Sequence, residues 1–317
     1  MDVNRHLNEE ELKKEIIRLK KEKKAVILAH YYQQGPIQDI ADHIGDSLAL
    51  AQYASKLDDA RIIVLCGVYF MGETAKLLCP DKKVLIPDAE AGCSLADSCR
   101  AEDFKKFIEK HPDHTVVSYV NTSAAVKALT DIVVTSGNAR KIIDTFEQDA
   151  KIIFGPDRNL GNYINSVTGR SMVLWDGACH VHEKFSVQKI LELKEQYPDA
   201  KVLVHPECKR PVVLLADKVG STAALLDYAR ESDAERFIVA TESGIIHQMQ
   251  KNCPNKQFIA VPPDDGTTCG CNDCSYMKLN TLQKLYECLL NEQPEVKVDS
   301  SVAEAALRPI VRMLELS

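Results

Sequence analysis

VLIPDAEAGCS (84–94), MVLWDGACHVH (172–182) and FIAVPPDDGTTCGCNDC (258–274) are three versions of one pattern, an apolar run that passes through a polar turn into a cysteine loop. Two further matching pieces precede each. A strand-like run ends in a polar cluster at VILAHYY (26–32), VVSYVNTS (116–123) and VLVHPEC (202–208). A small-residue loop then opens a helical pattern at GVYFMGETAKLL (67–78), VTSGNARKII (134–143) and VGSTAALLDYA (219–229). His30 to Tyr119 is 89 residues and Tyr119 to His205 is 86; Cys93 to Cys179 is 86 and Cys179 to Cys274 is 95. Three pieces recurring in one order at a near-constant period mark an internal repeat.

The runs at 25–29, 62–66, 84–86, 115–120, 132–135, 152–154, 172–174, 202–205, 237–240 and 258–261 are short, apolar and bounded by turn residues, as buried parallel strands are. Helical patterns lie between them at 39–57, 72–78, 123–129, 138–146, 187–196 and 222–231. This alternation predicts an α/β chain of three homologous three-layer αβα domains with small parallel sheets, set with pseudo-threefold symmetry around a central site. The expected domains are 1–93, 94–180 and 181–274, with C-terminal helices in 275–317 joining the first. An opening helix (9–23) and closing helices (279–290 and 301–316) flank the repeats. Ligands of open α/β sheets bind beyond the carboxyl ends of the strands. Three converging ends therefore make one site, lined by the polar clusters and the cysteine loops.

Composition narrows the chemistry. A chain of 317 residues with 27% charged and 45% hydrophobic residues is globular, not disordered. Length alone suggests about two domains; the repeat argues for three. A net charge of −7 without a basic stripe speaks against a nucleic-acid partner. The N-terminus is charged and amphipathic, with no signal-peptide core, and no apolar run reaches bilayer length. A cytoplasmic location with reduced thiols is expected. The eleven cysteines are an odd number, so they cannot all pair, and metal or redox chemistry becomes the leading reading for some of them.

One cysteine from each repeat, Cys93, Cys179 and Cys274, fits a 4Fe-4S cluster with three protein ligands and a fourth iron open to substrate. An open Lewis-acidic position suits dehydration or condensation rather than electron transfer. The run Cys269-Gly-Cys271-Asn-Asp-Cys274 also reads as half of a zinc site, whose other ligands would come from Cys179, His180 or His182. Cys271 and Cys274 alternatively make a redox pair. Cys66, Cys79, Cys208, Cys253 and Cys288 read as packing residues; Cys99, six residues after Cys93, reads first as incidental too, with a spare thiol near the cluster as the alternative.

AHYYQ (29–33), GDSL (45–48), FMGETAK (70–76), AGCSLAD (91–97), SYVNT (118–122), VTSGNA (134–139), IFGPDRNLG (153–161), CHVHEKF (179–185), HPEC (205–208), GST (220–222) and CSYMKLNTL (274–282) together resemble the quinolinate synthase family, over about residues 25–290. The resemblance implies a 4Fe-4S cluster held by one cysteine per domain, here Cys93, Cys179 and Cys274. It implies condensation of iminoaspartate with dihydroxyacetone phosphate to quinolinate, with release of phosphate and two waters, for NAD biosynthesis. Functional coupling to L-aspartate oxidase follows from the same resemblance. The family's site residues fall on His30, Tyr32, Ser47, Tyr119, Asn121, Ser136, His182, His205, Glu207, Ser221 and Thr222. One departure is visible: members with a longer cysteine run carry C-x-x-C-x-x-C, whereas this chain has C-x-C-x-x-C, which puts their regulatory disulfide in question here.

Such substrates carry carboxylates and a phosphate, and the residues just named include donors for them. His30, Ser47, Asn121, Ser136, His205, Ser221 and Thr222 are neutral or switchable donors. Gly220-Ser221-Thr222 opens a helix, so its N–H groups can join in phosphate binding; plain N-capping is the simpler reading of the same residues. Proton transfer is assigned to Glu207 and Tyr32, with His205 as helper. Tyr119 and Asn121 orient the intermediate, His182 contacts substrate, and 155–159 forms a loop that shapes the site or a domain interface. Two rivals differ in class: an aconitase-like hydro-lyase using the same open iron, and an iron–sulfur sensor. The sensor would need an output surface such as a basic helix, which the sequence lacks.

Overall fold

The structure, a computed structural model, describes residues 7–263 and 272–317. Among the described residues twelve strands form three four-stranded sheets, with every strand pairing parallel. The first holds β1 (Ala25–His30), β2 (His43–Gly45), β3 (Ile62–Cys66) and β4 (Lys83–Leu85). The second holds β5 (Thr115–Tyr119), β6 (Ile132–Val134), β7 (Ile152–Gly155) and β8 (Val173–Leu174). The third holds β9 (Lys201–Val204), β10 (Lys218–Val219), β11 (Arg236–Ala240) and β12 (Gln257–Ala260). Each runs in the same order, with its first strand second from the edge: β2-β1-β3-β4, β6-β5-β7-β8 and β10-β9-β11-β12. The expected α/β class and small parallel sheets are thus borne out.

The strand interiors are mostly apolar on successive residues, without alternation, because both faces are covered. In the first sheet Ala25, Ile27, Ala29, Ile62, Val64 and Cys66 pack with Leu12, Ile16 and Leu19 of helix Glu9–Glu22 and with Leu285 and Leu289 of helix Leu282–Asn291. The alternate residues Leu28, Ile63, Leu65 and Val84 enter a second core, which also takes Val117, Ile132, Ile152 and Phe154 of the second sheet. Ala306, Ile310 and Met313 of the last helix, Ser300–Leu316, fill that shared core. This helix packs on β6 and helix Ala124–Lys127 as well as on helix Tyr69–Leu78, and so bridges two sheets.

Two strands escape the sequence pattern. The segment 39–57, read there as one helix, contains β2 followed by helix Ser47–Ala54. β2 and β10 are edge strands of three and two residues, too short to show a period of two. Among the described residues no helix is long and apolar enough to cross a membrane.

One carboxylate of the C-terminal segment gathers three cations of the first unit. Glu292 receives Lys83 at 2.7 Å, Lys23 at 3.1 Å and Arg61 at 3.4 Å. The Lys83 and Lys23 hydrogen bonds pull its pKa from 4.5 to about 2. A lowered folded-state pKa contributes stability above pH 4.5 that is lost as pH falls toward 2. The carboxylate is 18% exposed but Arg61 is 65% exposed, and solvent screening limits the contribution to about 1 kcal/mol. Denaturant melts of Glu292→Gln and the wild type should differ by that amount at pH 7 and converge as pH falls from 4.5 toward 2. An equal gap at both ends of that range would refute the assignment.

Candidate active site

All three sheets send their strand ends to one pocket with about 730 Å³ of empty space. His30, Tyr32, Ser47, Tyr119, Asn121, Ser136, His182, His205, Glu207 and Thr222 line it, together with Cys93, Cys179 and Cys274. Ser221 does not. It caps helix Thr222–Glu231 through Ala224 N–H at 3.3 Å and hydrogen-bonds Asp46, which itself caps helix Ser47–Ala54. No Lys or Arg is among the described lining residues.

The polar strand ends share a local design. At the end of β1, Tyr32 N–H donates to His30 Nδ1 at 3.1 Å; after β9, Glu207 N–H reaches His205 Nδ1 at 3.4 Å. An accepting Nδ1 assigns the proton to Nε2, and His205 Nε2 meets Ser136 Oγ at 3.3 Å. Burial lowers both imidazoles to a pKa of about 3. Both are therefore neutral N–H donors at physiological pH.

Glu207 sits at the centre of this wall. Tyr119 donates to its Oε1 at 2.5 Å and His182 Nδ1 lies 3.0 Å from its Oε2. Burial pushes the carboxyl up, but His182 and the hydrogen bond from Tyr119 favour the charged form and outweigh it, and its pKa lies below the ordinary carboxylate value. It is thus ionised at neutral pH. Tyr32 differs: burial raises its pKa well above 10, and its hydroxyl lies between Thr222 (3.0 Å) and Thr241 (2.8 Å). One group holds a negative charge and the other holds a proton.

The three pocket cysteines adopt one turn three times. Cys93, Cys179 and Cys274 each accept the i+4 N–H through the carbonyl, from Asp97, Glu183 and Lys278. The i+3 N–H faces each sulfur, from Ala96, His182 and Met277. Such amides stabilise negative charge on sulfur. The loops also meet: Ser94 Oγ lies 2.6 Å from His180 Nδ1, and the His180 ring packs edge-on to Tyr276 at 5.8 Å. Of the nine described cysteines these three are half-buried, while Cys66, Cys79, Cys99, Cys208, Cys253 and Cys288 are buried and outside the pocket. Cys99 packs with Phe104 rather than beside the other three. Burial pushes the Cys93 thiol to about 12, Cys274 to about 11 and Cys179 well above its usual value. Ligation of a metal by these thiols must therefore release protons. Cys269 and Cys271 lie outside the described residues, and with them the C-x-C-x-x-C zinc and redox readings.

Residues 14–315 match the family model described as "Quinolinate synthetase A protein". The chain belongs to the quinolinate synthetase A family. A protein of Synechocystis sp. named "Quinolinate synthase" is 56% identical over 94% of this chain and 93% of its own. One from Chloroherpeton thalassium with the same name is 54% identical over 98% and 96%.

Within this quinolinate synthetase A chain the sequence reading missed Asp46, Thr135, His180, Glu242 and Tyr276 in the lining, and Thr241 behind it. The repeat contained a signal for Glu242. It follows β11 as Asp157 follows β7, and the two carboxylates accept the N–H of Cys274 (3.0 Å) and Cys179 (2.9 Å). Val68 occupies the matching place after β3. The 155–159 loop thus shapes the site through Asp157.

Proposed function

We propose that this chain condenses iminoaspartate with dihydroxyacetone phosphate to quinolinate, releasing phosphate and two waters, in NAD biosynthesis. The observation that carries the reading is three like-built cysteine turns facing a wall of Glu207, Tyr32, Tyr119 and neutral histidines in one pocket. The half-buried thiols, each with an amide at the sulfur, suit a 4Fe-4S cluster on Cys93, Cys179 and Cys274. When bound, such a cluster supplies a Lewis-acidic iron for an oxygen that leaves as water.

The chain's own groups supply the rest. His30 and His205 present neutral N–H donors, and Ser47, Asn121, Ser136 and Thr222 present hydroxyl or amide donors, so carboxylates and phosphate are held without a cation. Ser221 supports from behind, as a cap joined to Asp46. Glu207, ionised and fixed by Tyr119 and His182, takes protons from carbon or nitrogen. Tyr32, protonated, gives its own proton to a leaving oxygen and is left as phenolate, to be reprotonated from solvent before the next turnover. Tyr119 and Asn121 orient the intermediate. The three like-ordered sheets support domain divisions at 93/94 and 180/181, the third domain ending at 274. Iminoaspartate hydrolyses readily, so an aspartate-oxidising partner such as L-aspartate oxidase is the fitting supplier, in a reducing cytoplasm.

An anaerobic assay with reconstituted protein tests the reading. Quinolinate should form from the two substrates, and dehydration of a hydroxy acid without use of dihydroxyacetone phosphate would favour the hydro-lyase instead. Tyr32→Phe should lower kcat about 100-fold with metal content unchanged; wild-type turnover would remove Tyr32 from proton transfer.

A further inference from the structure

We infer that Cys179, His182 and Glu207 form a mononuclear site for a zinc-class divalent cation, which shares Cys179 with the three-cysteine set and is therefore exclusive with it. Among the described residues these are the one set of three potential metal-ligating side chains whose donor atoms all lie within 4.8 Å of one another. His182 Nδ1 stands 3.2 Å from Cys179 Sγ and 3.0 Å from Glu207 Oε2. Bond lengths of about 2.0 Å to N and O and 2.3 Å to S, arranged tetrahedrally, place such donors about 3.3–3.6 Å apart. His182 needs to move away from each of the other two donors by only a few tenths of an ångström to admit the ion.

The surroundings are those of a built site. Metal-bound imidazoles usually engage their second nitrogen, and ligating carboxylates are hydrogen-bonded in turn. His182 Nε2 is 3.0 Å from Thr241 Oγ1, Glu207 Oε1 receives Tyr119, and Cys179 N–H is anchored on Asp157. One thiolate, one imidazole and one carboxylate are a borderline-soft set that suits zinc or cobalt. All three residues line the pocket, which leaves a fourth position open on that side. Cys179 cannot serve both sites, so an ion here blocks assembly on the three cysteines.

Cobalt(II) chloride, titrated anaerobically into the full-length chain purified without iron and sulfide, tests this. One cobalt per chain should bind, with a thiolate-to-cobalt charge-transfer band that zinc bleaches. The band and a cobalt-induced rise in Tm should persist in Cys93→Ser and Cys274→Ser and vanish in Cys179→Ser. Glu207→Gln should bind at least about tenfold more weakly, the loss typical even of an outer partner. A band lost in Cys93→Ser or Cys274→Ser, or undiminished binding in Glu207→Gln, overturns the inference and puts the metal on the three thiols. The test is independent of the condensation assay, which uses cluster-loaded protein, so either can fail alone.

Discussion

Changing Cys93, Cys179 or Cys274 singly to Ser should reduce anaerobically reconstituted protein from about four irons per chain, the content of one cubane cluster, to background, and abolish quinolinate formation. Serine keeps the turn, because the backbone hydrogen bonds to Asp97, Glu183 and Lys278 do not involve the side chain. It removes the soft thiolate that an iron–sulfur cluster requires. The control is Cys208→Ser: its thiol is buried against Ala240 O at 3.5 Å, outside the pocket, and its iron content should match the wild type. Full iron and sulfide in any of the three pocket variants would sink the ligand assignment.

Glu207→Gln should lower kcat about 10³-fold while iron content stays at the wild-type level, the scale expected for loss of a positioned acid–base group. The amide preserves volume and still accepts from Tyr119, but it carries no charge toward His182 and cannot take a proton. Metal content and kcat measured on the same preparation separate the two functions of the pocket. Loss of iron in step with loss of rate would make Glu207 a structural support instead.

The architecture was legible in the sequence because repetition amplifies weak local signals. A run such as IIVLC (62–66) could be strand or buried helix on its own. Three such runs in register, each feeding a cysteine loop, leave little choice. β2 and β10 were not legible, since a short edge strand is defined by the neighbour it pairs with. Cys93, Cys179 and Cys274 stood out as one per repeat, and the three half-buried thiols among the described cysteines are these. Thr241 and His180 carried no such mark. Thr241 is an ordinary residue after a strand, and its hydroxyl matters only because Tyr32 from the first sheet and His182 from the cysteine loop both reach it. His180 enters the sequence analysis only as an optional zinc ligand, yet it joins Ser94 and Tyr276 of the other two cysteine loops.

The sequence by itself therefore determined three small parallel sheets, the direction of their strands and the cysteine that each contributes. Those properties follow from hydrophobic period and residue type within one unit. Only the tertiary structure decided that Glu207 is a fixed anion rather than a carboxyl poised near its own pKa, and that the two strand-end histidines are neutral donors. Charge state depends on burial and on partners 3 Å away, and Glu207 takes Tyr119 from a unit 88 residues distant. Such pairs exist only once three separately folded strand ends converge.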